Sequence, residues 1–126
     1  MPGKKKKASG DAAKGEKIFK NLCAVCHSLS ADSVGPALGG IGGSNIASGG
    51  SFSYSSALSS KATWKWSAGN LDRWLTKPAS FAPGNAMAFS GIPSVKDRAD
   101  LVAFLMGWTP NKNYKLSIKI WVRVSE

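Results

Sequence analysis

The sequence predicts a small all-α domain in which short helices and long loops are wrapped around one bound group. Amphipathic helix patterns lie near both ends of the body, and the segment between them is rich in glycine and serine. Both cysteines and the only histidine lie within five consecutive positions. A chain of 126 residues is long enough for one domain with a modest core, so we expect a single function.

Helix signals begin and end the body of the chain. Asp11 is a suitable N-cap for a helix that runs to about Leu22. Gly15 inside that helix costs about 1 kcal/mol relative to alanine, so either it is tolerated or another helix crosses closely at that point. The last helix is expected to be capped by Asp97 and to end at Gly107.

The segment between these helices is predicted to be mostly loop. Residues 28–53 contain too many glycines for regular structure, and a long loop in a small domain usually surrounds something. Short helices are predicted at 54–60 and at 69–75, the second because three of its apolar residues share one face. The prolines of 78–87 predict an extended run there.

The formal net charge of +10 lies mostly at the two ends of the chain. Residues 1–15 hold five lysines and one aspartate, and residues 107–126 hold three lysines, one arginine and one glutamate. The body carries little excess charge, which argues against a nucleic-acid-binding fold. No stretch approaches about 18 apolar residues, so the sequence predicts no transmembrane segment.

We therefore divide the chain into a flexible basic arm at 1–10, one domain at 11–107 and a basic C-terminal extension at 108–126. Apolar residues alternate strictly between 116 and 124, which is a strand pattern. A lone strand has no partner in a helical domain. We expect it to be disordered, to lie on the body or to add to another subunit's sheet.

Cys23, Cys26 and His27 form a CxxCH pattern, which indicates the attachment site of a c-type haem. On a helical turn, side chains three positions apart lie on one face, about 5–6 Å apart at Cβ, within reach of the two vinyl groups of one porphyrin. The imidazole that follows is then placed to be the proximal iron ligand.

Other interpretations of the same residues account for fewer of them. A structural zinc site requires four cysteine or histidine ligands, and the chain has three such residues. A redox-active CxxC belongs at the end of a strand in a strand–helix–strand unit, which the sequence does not predict. A simple disulfide between Cys23 and Cys26 would leave His27 without a role.

Because His27 is the only histidine, the second axial position of the iron is left to methionine, to lysine or to no ligand. Met1 lies in the basic arm and Met106 on a helix face, which leaves Met87. The alternative for Met87 is that it fills a gap in the core. An iron with protein ligands on both sides has no open position, which favours transfer of one electron over substrate or oxygen chemistry.

The order of the motifs resembles class I cytochrome c of the mitochondrial type. The resemblance covers about residues 11–106 and rests on segments that follow the family's order. These segments are GDAAKGEKIF, CAVCH, VGPALGGI, FSYS, WSAGNLDRWLTKP, FAPGNAMAFSGI and DRADLVAFL. The resemblance implies the small cytochrome c fold with one covalently attached haem c.

The resemblance also implies roles for individual residues. The predicted iron and thioether residues are Cys23, Cys26, His27 and Met87. Pro36 resembles the proline whose carbonyl accepts a hydrogen bond from the proximal imidazole. Gly15 and Phe19 resemble the pair that lets the first and last helices cross closely.

Three aromatic residues complete the predicted haem-binding set. Tyr54 and Trp66 resemble the groups that hydrogen-bond a haem propionate, with Trp64 as the competing residue for the second role. Trp74 stands where the family has a tyrosine beside the methionine.

The sequence departs from the family's pattern around the predicted haem. Ser44 stands where the family often has an arginine near a propionate, and Leu58 or a neighbour stands where it has an asparagine. Several lysines that commonly surround the haem edge are replaced by Leu22, Ala79, Ser80 and Ala86. We therefore expect weaker docking by a basic ring, with the basic ends of the chain assisting.

The resemblance implies a soluble, monomeric electron carrier, not an enzyme, between a bc1-type complex and cytochrome c oxidase. Without a secretory signal at its start, the chain is expected in the mitochondrial intermembrane space, with a bacterial periplasm as the alternative. A rival interpretation is a haem peroxidase that anionic lipid such as cardiolipin activates by opening the Met87 bond. A third is a cationic lipid- or partner-binding module with a structural disulfide.

Overall fold

The computed structural model describes residues 10–49 and 52–108. Its helices are α1 (Ala12–Ile18), which continues into a π-helical turn (Phe19–Cys23), α2 (Ser56–Ser59), α3 (Ala68–Thr76), α4 (Pro78–Phe81) and α5 (Val95–Gly107). Within these ranges there is no β-strand, only one isolated antiparallel bridge. The all-α prediction is confirmed for this part of the chain. The basic arm, apart from Gly10, and the strand predicted at 116–124 lie outside the described residues.

Asp11 caps α1, as predicted from the sequence. Its carboxylate accepts hydrogen bonds from the backbone N–H groups of Ala13 at 2.9 Å and Lys14 at 3.3 Å. These donors would otherwise lack partners at the start of a helix.

The helical region that begins with α1 ends in a wider, π-helical turn. The N–H of Ala24 donates to the carbonyl of Phe19, five residues earlier, at 2.9 Å. This turn ends at Cys23, one residue beyond the predicted helix end. Turns of this kind occur frequently at functional sites, and this one leads directly into the CxxCH segment.

Helices α1 and α5 cross closely because position 15 has no side chain. A Cβ atom on Gly15 would lie 2.6 Å from the carbonyl carbon of Asp100 and 2.8 Å from the Cβ of Phe104, closer than real atoms approach. At the start of the π-helical turn that follows α1, the ring of Phe19 packs against that of Phe104 with centroids 5.7 Å apart. The close crossing expected from the resemblance is confirmed.

The carboxylate of Asp100 ties the start of α1 to α5. Asp100 is only 2% exposed and accepts hydrogen bonds from the N–H of Asp11 at 2.8 Å and from the Lys96 ammonium at 3.0 and 3.2 Å. Burial alone would raise the pKa of Asp100. The hydrogen bonds from Asp11 and Lys96, together with the charges of Lys96 and Lys14, lower the pKa below its usual value.

The last helix begins three residues earlier than its predicted cap. Ser94 is the N-cap of α5, and its hydroxyl accepts a hydrogen bond from the N–H of Asp97 at 3.1 Å. The prediction that Asp97 caps this helix was wrong. Serine and aspartate both suit an N-cap, and an acidic residue is also stabilising in the first turn, near the positive end of the helix dipole. The predicted end at Gly107 is confirmed.

The extended run predicted at 78–87 was also wrong in its first half. Pro78–Phe81 is a short helix, α4, with proline in its first turn. A proline at that position needs no N–H partner and has a suitable φ angle. Lys77 before it has φ −162° and ψ 94°, the extended backbone that precedes a proline. The short helices predicted at 54–60 and 69–75 are confirmed as α2 and α3, with shifted ends.

The core joins the π-helical turn, α3, α4 and α5 to the loops between them. Its buried apolar residues are Phe19, Ile46, Trp66, Leu71, Trp74, Leu75, Phe81, Ala82, Ile92, Leu101, Val102, Phe104, Leu105 and Trp108. Arg98 on α5 crosses the edge of this core. Its guanidinium donates to the Asp72 carboxylate of α3 at 2.8 Å and to the carbonyl of Ile92 at 2.7 Å.

None of the helices in 10–49 and 52–108 has the length and apolar character needed to cross a bilayer.

Replacing Asp100 with asparagine should lower the free energy of unfolding at pH 7 by about 1.5–3 kcal/mol, the usual value of a hydrogen bond to a charged group. Because the folded state lowers the carboxyl pKa, this contribution is complete at neutral pH. It is lost as the pH falls through the unfolded-state and then the folded-state pKa. Urea unfolding of the wild type and D100N at pH 7 and in acid measures the change.

The matched control is D97N, because Asp97 lies on the same helix, is exposed and forms no ion pair among the described residues. D97N should change the stability by a few tenths of a kcal/mol, as surface substitutions usually do. A D100N deficit that stayed the same from neutral to acid pH would contradict a role for the carboxylate charge.

Candidate functional site

The CxxCH segment forms one turn of helix. The N–H of His27 donates to the carbonyl of Cys23 at 2.8 Å, and the N–H of Cys26 donates to the same oxygen at 3.0 Å. Both cysteines are half-buried and carry free thiols, so no disulfide links them. This backbone geometry agrees with the predicted helical turn, on which side chains three positions apart share a face.

Cys23 lies in apolar surroundings. It packs against the core, and burial raises the pKa of its thiol to about 11. At neutral pH this sulfur is therefore a neutral thiol, whereas nucleophiles, redox-active cysteines and metal ligands require the thiolate. A sulfur in this position suits a neutral thioether bond to an apolar group better than a charged site.

The imidazole of His27 is oriented by a hydrogen bond to the carbonyl of Pro36. The Nδ1 atom lies 2.8 Å from this oxygen. Because a carbonyl can only accept, Nδ1 must carry the proton, and the lone pair of Nε2 is left free for a metal ion. Such a second contact fixes both the tautomer and the ring orientation of a metal-binding histidine.

Gly35 brings the proline close enough to make this contact. Its N–H donates to the carbonyl of Cys26 at 2.7 Å. A Cβ atom at position 35 would contact the imidazole ring of His27 and lie 2.7 Å from Nδ1 and 2.8 Å from Nε2. Sequence reasoning did not single out Gly35, although the glycine–proline pair was a visible turn signal. Hydrogen bonds thus join Cys23, Cys26, His27, Gly35 and Pro36 into one unit.

Met87 lies on a loop that follows α4. Its side chain is half-buried and packs against the core, as does Cys23. Its N–H donates to the side-chain oxygen of Asn85 at 2.7 Å. Asn85 was not recognised from the sequence, because nothing in the pattern distinguishes a hydrogen-bonded asparagine from a solvated one.

Trp66 and Trp74 belong to an aromatic cluster around Phe81. The centroid of the Phe81 ring lies 5.8 Å from that of Trp66 and 6.0 Å from that of Trp74, and the two tryptophan rings are 5.9 Å apart. Trp66 is 6% exposed, whereas Trp64 is 39% exposed and lies beneath the Lys61 ammonium, 4.3 Å from its ring centroid. Of the two tryptophans considered for a propionate contact, Trp66 is therefore the buried one. Its indole N–H donates no hydrogen bond within the described residues.

Tyr54 lies on the loop that precedes α2. Its hydroxyl oxygen accepts a hydrogen bond from the N–H of Gly49 at 3.0 Å, which leaves the hydroxyl proton free to be donated. Burial first, and then the negative charge of Asp32, raise the pKa of Tyr54, while the Gly49 contact acts in the opposite direction. The tyrosine is therefore a neutral donor at physiological pH.

Many apolar side chains around the core remain only partly covered. They are Ala12, Ile18, Cys23, Leu29, Leu38, Ile41, Ala47, Ala57, Leu58, Met87 and Phe89. Most of them lie on the loops, and they include the first cysteine and the methionine of the predicted site. A flat apolar group bound to Cys23 would bury more of this surface, which would stabilise the fold by about 25 cal/mol per Å² covered.

A sequence profile of the family described as Cytochrome c matches residues 12–109. The chain belongs to the cytochrome c family. Its relatives include cytochrome c of Gibberella zeae, 40% identical over 101 residues that cover 78% of this chain and 94% of the relative. Cytochrome c2 of Rhodomicrobium vannielii is 38% identical over 101 residues, 78% of this chain and 79% of the relative.

The fold agrees with this membership. The solved structure of cytochrome cH from Methylobacterium extorquens superposes with a TM-score of 0.72 at 37% identity, and the match covers 76% of this chain and 97% of that one. Membership of the cytochrome c family implies haem c and an electron-carrying role. The residues present fit that group: two free thiols on one helical turn, an imidazole with a free Nε2 and partly covered apolar side chains.

Replacing Gly35 with alanine should disturb the His27 site, because the added methyl group would press on the imidazole. Overpacking of this kind usually costs about 1–3 kcal/mol. We expect a lower yield of haem-loaded protein and a lower unfolding temperature. Haem content per polypeptide from the pyridine haemochrome spectrum, together with thermal unfolding, measures both effects.

Gly107→Ala provides the matched control, because a Cβ atom there would meet nothing within 4 Å. It lies at the end of α5, outside the CxxCH unit. If G35A and G107A gave the same haem content and the same unfolding temperature, the proposed contact between position 35 and the imidazole would be wrong.

Proposed function

We propose that this chain is a one-electron carrier with a single haem c attached through Cys23 and Cys26. His27 would be the proximal iron ligand and Met87 the distal one. The observation that carries the proposal is the hydrogen bond from His27 Nδ1 to the Pro36 carbonyl, which leaves Nε2 free beside two unoxidised thiols. The bound haem would supply an iron that alternates between the ferric and ferrous states.

The protein's contribution is to keep that iron in fixed, apolar surroundings. The Pro36 carbonyl holds the imidazole in one tautomer, and a thioether ligand favours the ferrous state more than a second histidine would. Apolar side chains penalise the extra charge of ferric iron, so they raise the reduction potential further. Ligands that stay in place in both states keep the reorganisation small, as electron transfer requires.

We assign the propionate contacts to Tyr54 and Trp66, with Trp74 beside Met87. The free hydroxyl proton of Tyr54 and the unpaired indole N–H of Trp66 support this assignment, since both donors have no acceptor within the described residues. Trp64 is less suitable, because it is exposed and faces Lys61.

The proposed partners are a bc1-type complex as electron donor and cytochrome c oxidase as electron acceptor. The relatives include both fungal cytochrome c and bacterial cytochrome c2. We infer the mitochondrial intermembrane space as the compartment, with a bacterial periplasm as the alternative, and a monomeric carrier rather than an enzyme. Nothing among the contacts of Met87 favours the peroxidase interpretation, since its side chain packs against the core and its backbone is hydrogen-bonded.

An optical spectrum and an electron-transfer assay test this function together. Protein matured in cells that attach haem c should show a thioether-linked pyridine haemochrome and, when ferric, the far-red charge-transfer band of methionine-ligated iron. It should be reduced by a bc1 complex and oxidised by cytochrome c oxidase. Met87→Ala should abolish the far-red band, because no other ligand of that type replaces it.

Met106→Ala is the control for that substitution, since Met106 lies on α5 and is 36% exposed. It should leave the band unchanged. A colourless protein would overturn the whole proposal, and a ferric spectrum that is the same in M87A and the wild type would overturn the assignment of the distal ligand.

Replacing Trp66 with phenylalanine should change the reduction potential, because a donor to the propionate would be lost while an aromatic ring stays in the cluster. Trp64→Phe should leave the potential close to that of the wild type, since the exposed ring has no such role in our assignment. Spectroelectrochemical titration of both variants measures the difference. A shift in W64F but not in W66F would reverse the assignment of the two tryptophans.

A further inference from the structure

The loop that carries Met87 is held by the side chain of Asn85. The side-chain oxygen of Asn85 accepts a hydrogen bond from the N–H of Met87 at 2.7 Å. Its side-chain nitrogen donates to the carbonyl of Ala82 at 3.0 Å and to that of Pro78 at 3.2 Å. Among the described residues, no other side chain forms a hydrogen bond with residues 82–89. One amide group therefore links the methionine backbone to α4.

The two carbonyl groups that accept from Asn85 belong to buried residues, Pro78 and Ala82. Ala82 is fully buried, and Pro78 is among the most deeply buried side chains of the protein. The connecting segment has no regular structure, and Gly84 within it has φ +85°, a conformation that favours glycine. Two backbone hydrogen bonds, from Asn85 N–H to the Ala82 carbonyl at 3.0 Å and from Phe89 N–H to the Met87 carbonyl at 3.1 Å, also hold this loop, and the Met87 side chain packs against the core. The amide of Asn85 is the only side chain among the described residues that adds hydrogen bonds to them.

Only an amide can make all three contacts. It offers an acceptor for the Met87 N–H and two donors for the carbonyl groups of Pro78 and Ala82 on one planar group. A serine at position 85 could accept from the N–H but could not donate to both carbonyls. An aspartate would place a negative charge against two carbonyl oxygens, and an alanine would make none of these contacts.

We propose that Asn85 is a positioning residue that determines how firmly Met87 holds the sixth ligand position of the iron. The inference rests on the proposed function, because it requires Met87 to be the distal ligand. In this proposal, release of the sulfur from the iron moves the Met87 backbone, which breaks its hydrogen bond to Asn85 and strains the bonds from Asn85 to the Pro78 and Ala82 carbonyls. These bonds therefore oppose loss of the ligand, although Asn85 does not touch the haem iron itself.

Competition by imidazole in the ferric, haem-loaded protein measures this effect. As imidazole binds, its nitrogen forms a bond to iron, the bond from iron to the Met87 sulfur breaks, and no electron is transferred. The far-red band disappears in proportion, which gives an apparent dissociation constant. For N85A we expect this constant to fall about tenfold, since one or two ordinary hydrogen bonds are lost on the closed side of the equilibrium.

Two further variants at position 85 separate the contacts. N85S should show a smaller fall than N85A, because the hydroxyl can still accept from the Met87 N–H. For N85D the constant should fall at least as far as for N85A, because the negative carboxylate would be repelled by the two carbonyl oxygens. The ordering of the three variants also keeps the test informative if one of them folds poorly.

Asn45→Ala is the matched control. The Asn45 side chain also joins two loop segments, donating to the carbonyl of Ala62 at 2.9 Å and accepting from the Lys65 ammonium at 3.0 Å. N45A should lower the unfolding temperature about as much as N85A does, and it should leave the apparent dissociation constant for imidazole unchanged. Equal imidazole constants in the wild type, N85A and N45A would overturn the inference, with the far-red band of the wild type still supporting the proposed function. A haem-loaded wild-type protein without that band would instead overturn the assignment of Met87 as the distal ligand in the proposed function.

Discussion

The close crossing of α1 and α5 is the contact on which the rest of the site depends. The absence of a side chain at Gly15 allows the helices to approach until backbone meets backbone, and the buried carboxylate of Asp100 holds the start of α1 in place. Because α1 continues without interruption into the π-helical turn that ends at Cys23, fixing α1 also fixes the first thiol. The position of the predicted attachment site is therefore set by packing between the two ends of the domain.

The two sides of the proposed iron site are built in different ways. On the histidine side, Cys23, Cys26 and His27 lie on one turn, and a single loop returns to bring Gly35 and Pro36 against them. That side is defined by local sequence and by one return of the chain. On the methionine side, Met87 follows an irregular segment whose support comes from one side chain and the buried end of α4.

The sequence was sufficient for features that are local. The CxxCH turn and the Asp11 cap follow from spacing and residue type, and the structure agrees. The close crossing at Gly15 was implied by the resemblance, because the sequence pattern alone also allowed a tolerated glycine. The sequence was insufficient where its signals allowed two structures. A proline can start a short helix or favour an extended chain, and at the start of α5 both Ser94 and Asp97 are residue types that suit an N-cap. Burial of Trp66 rather than Trp64 depends on tertiary packing that no short pattern encodes.

The side chains of the two proposed iron ligands, His27 and Met87, are held in different ways. In the proposed site, loss of His27 as a ligand would require displacement of a residue that directly follows Cys26 in the chain and whose Nδ1 is hydrogen-bonded to the Pro36 carbonyl. Loss of Met87 as a ligand would require residues near Gly84 to rearrange, the contacts of Asn85 to break and the Met87 side chain to leave its packing against the core. Local opening occurs preferentially where few buried contacts hold the backbone. If Met87 is the distal ligand, as we propose, substitutions on the methionine side are the ones expected to alter ligand binding while the α1–α5 crossing stays intact.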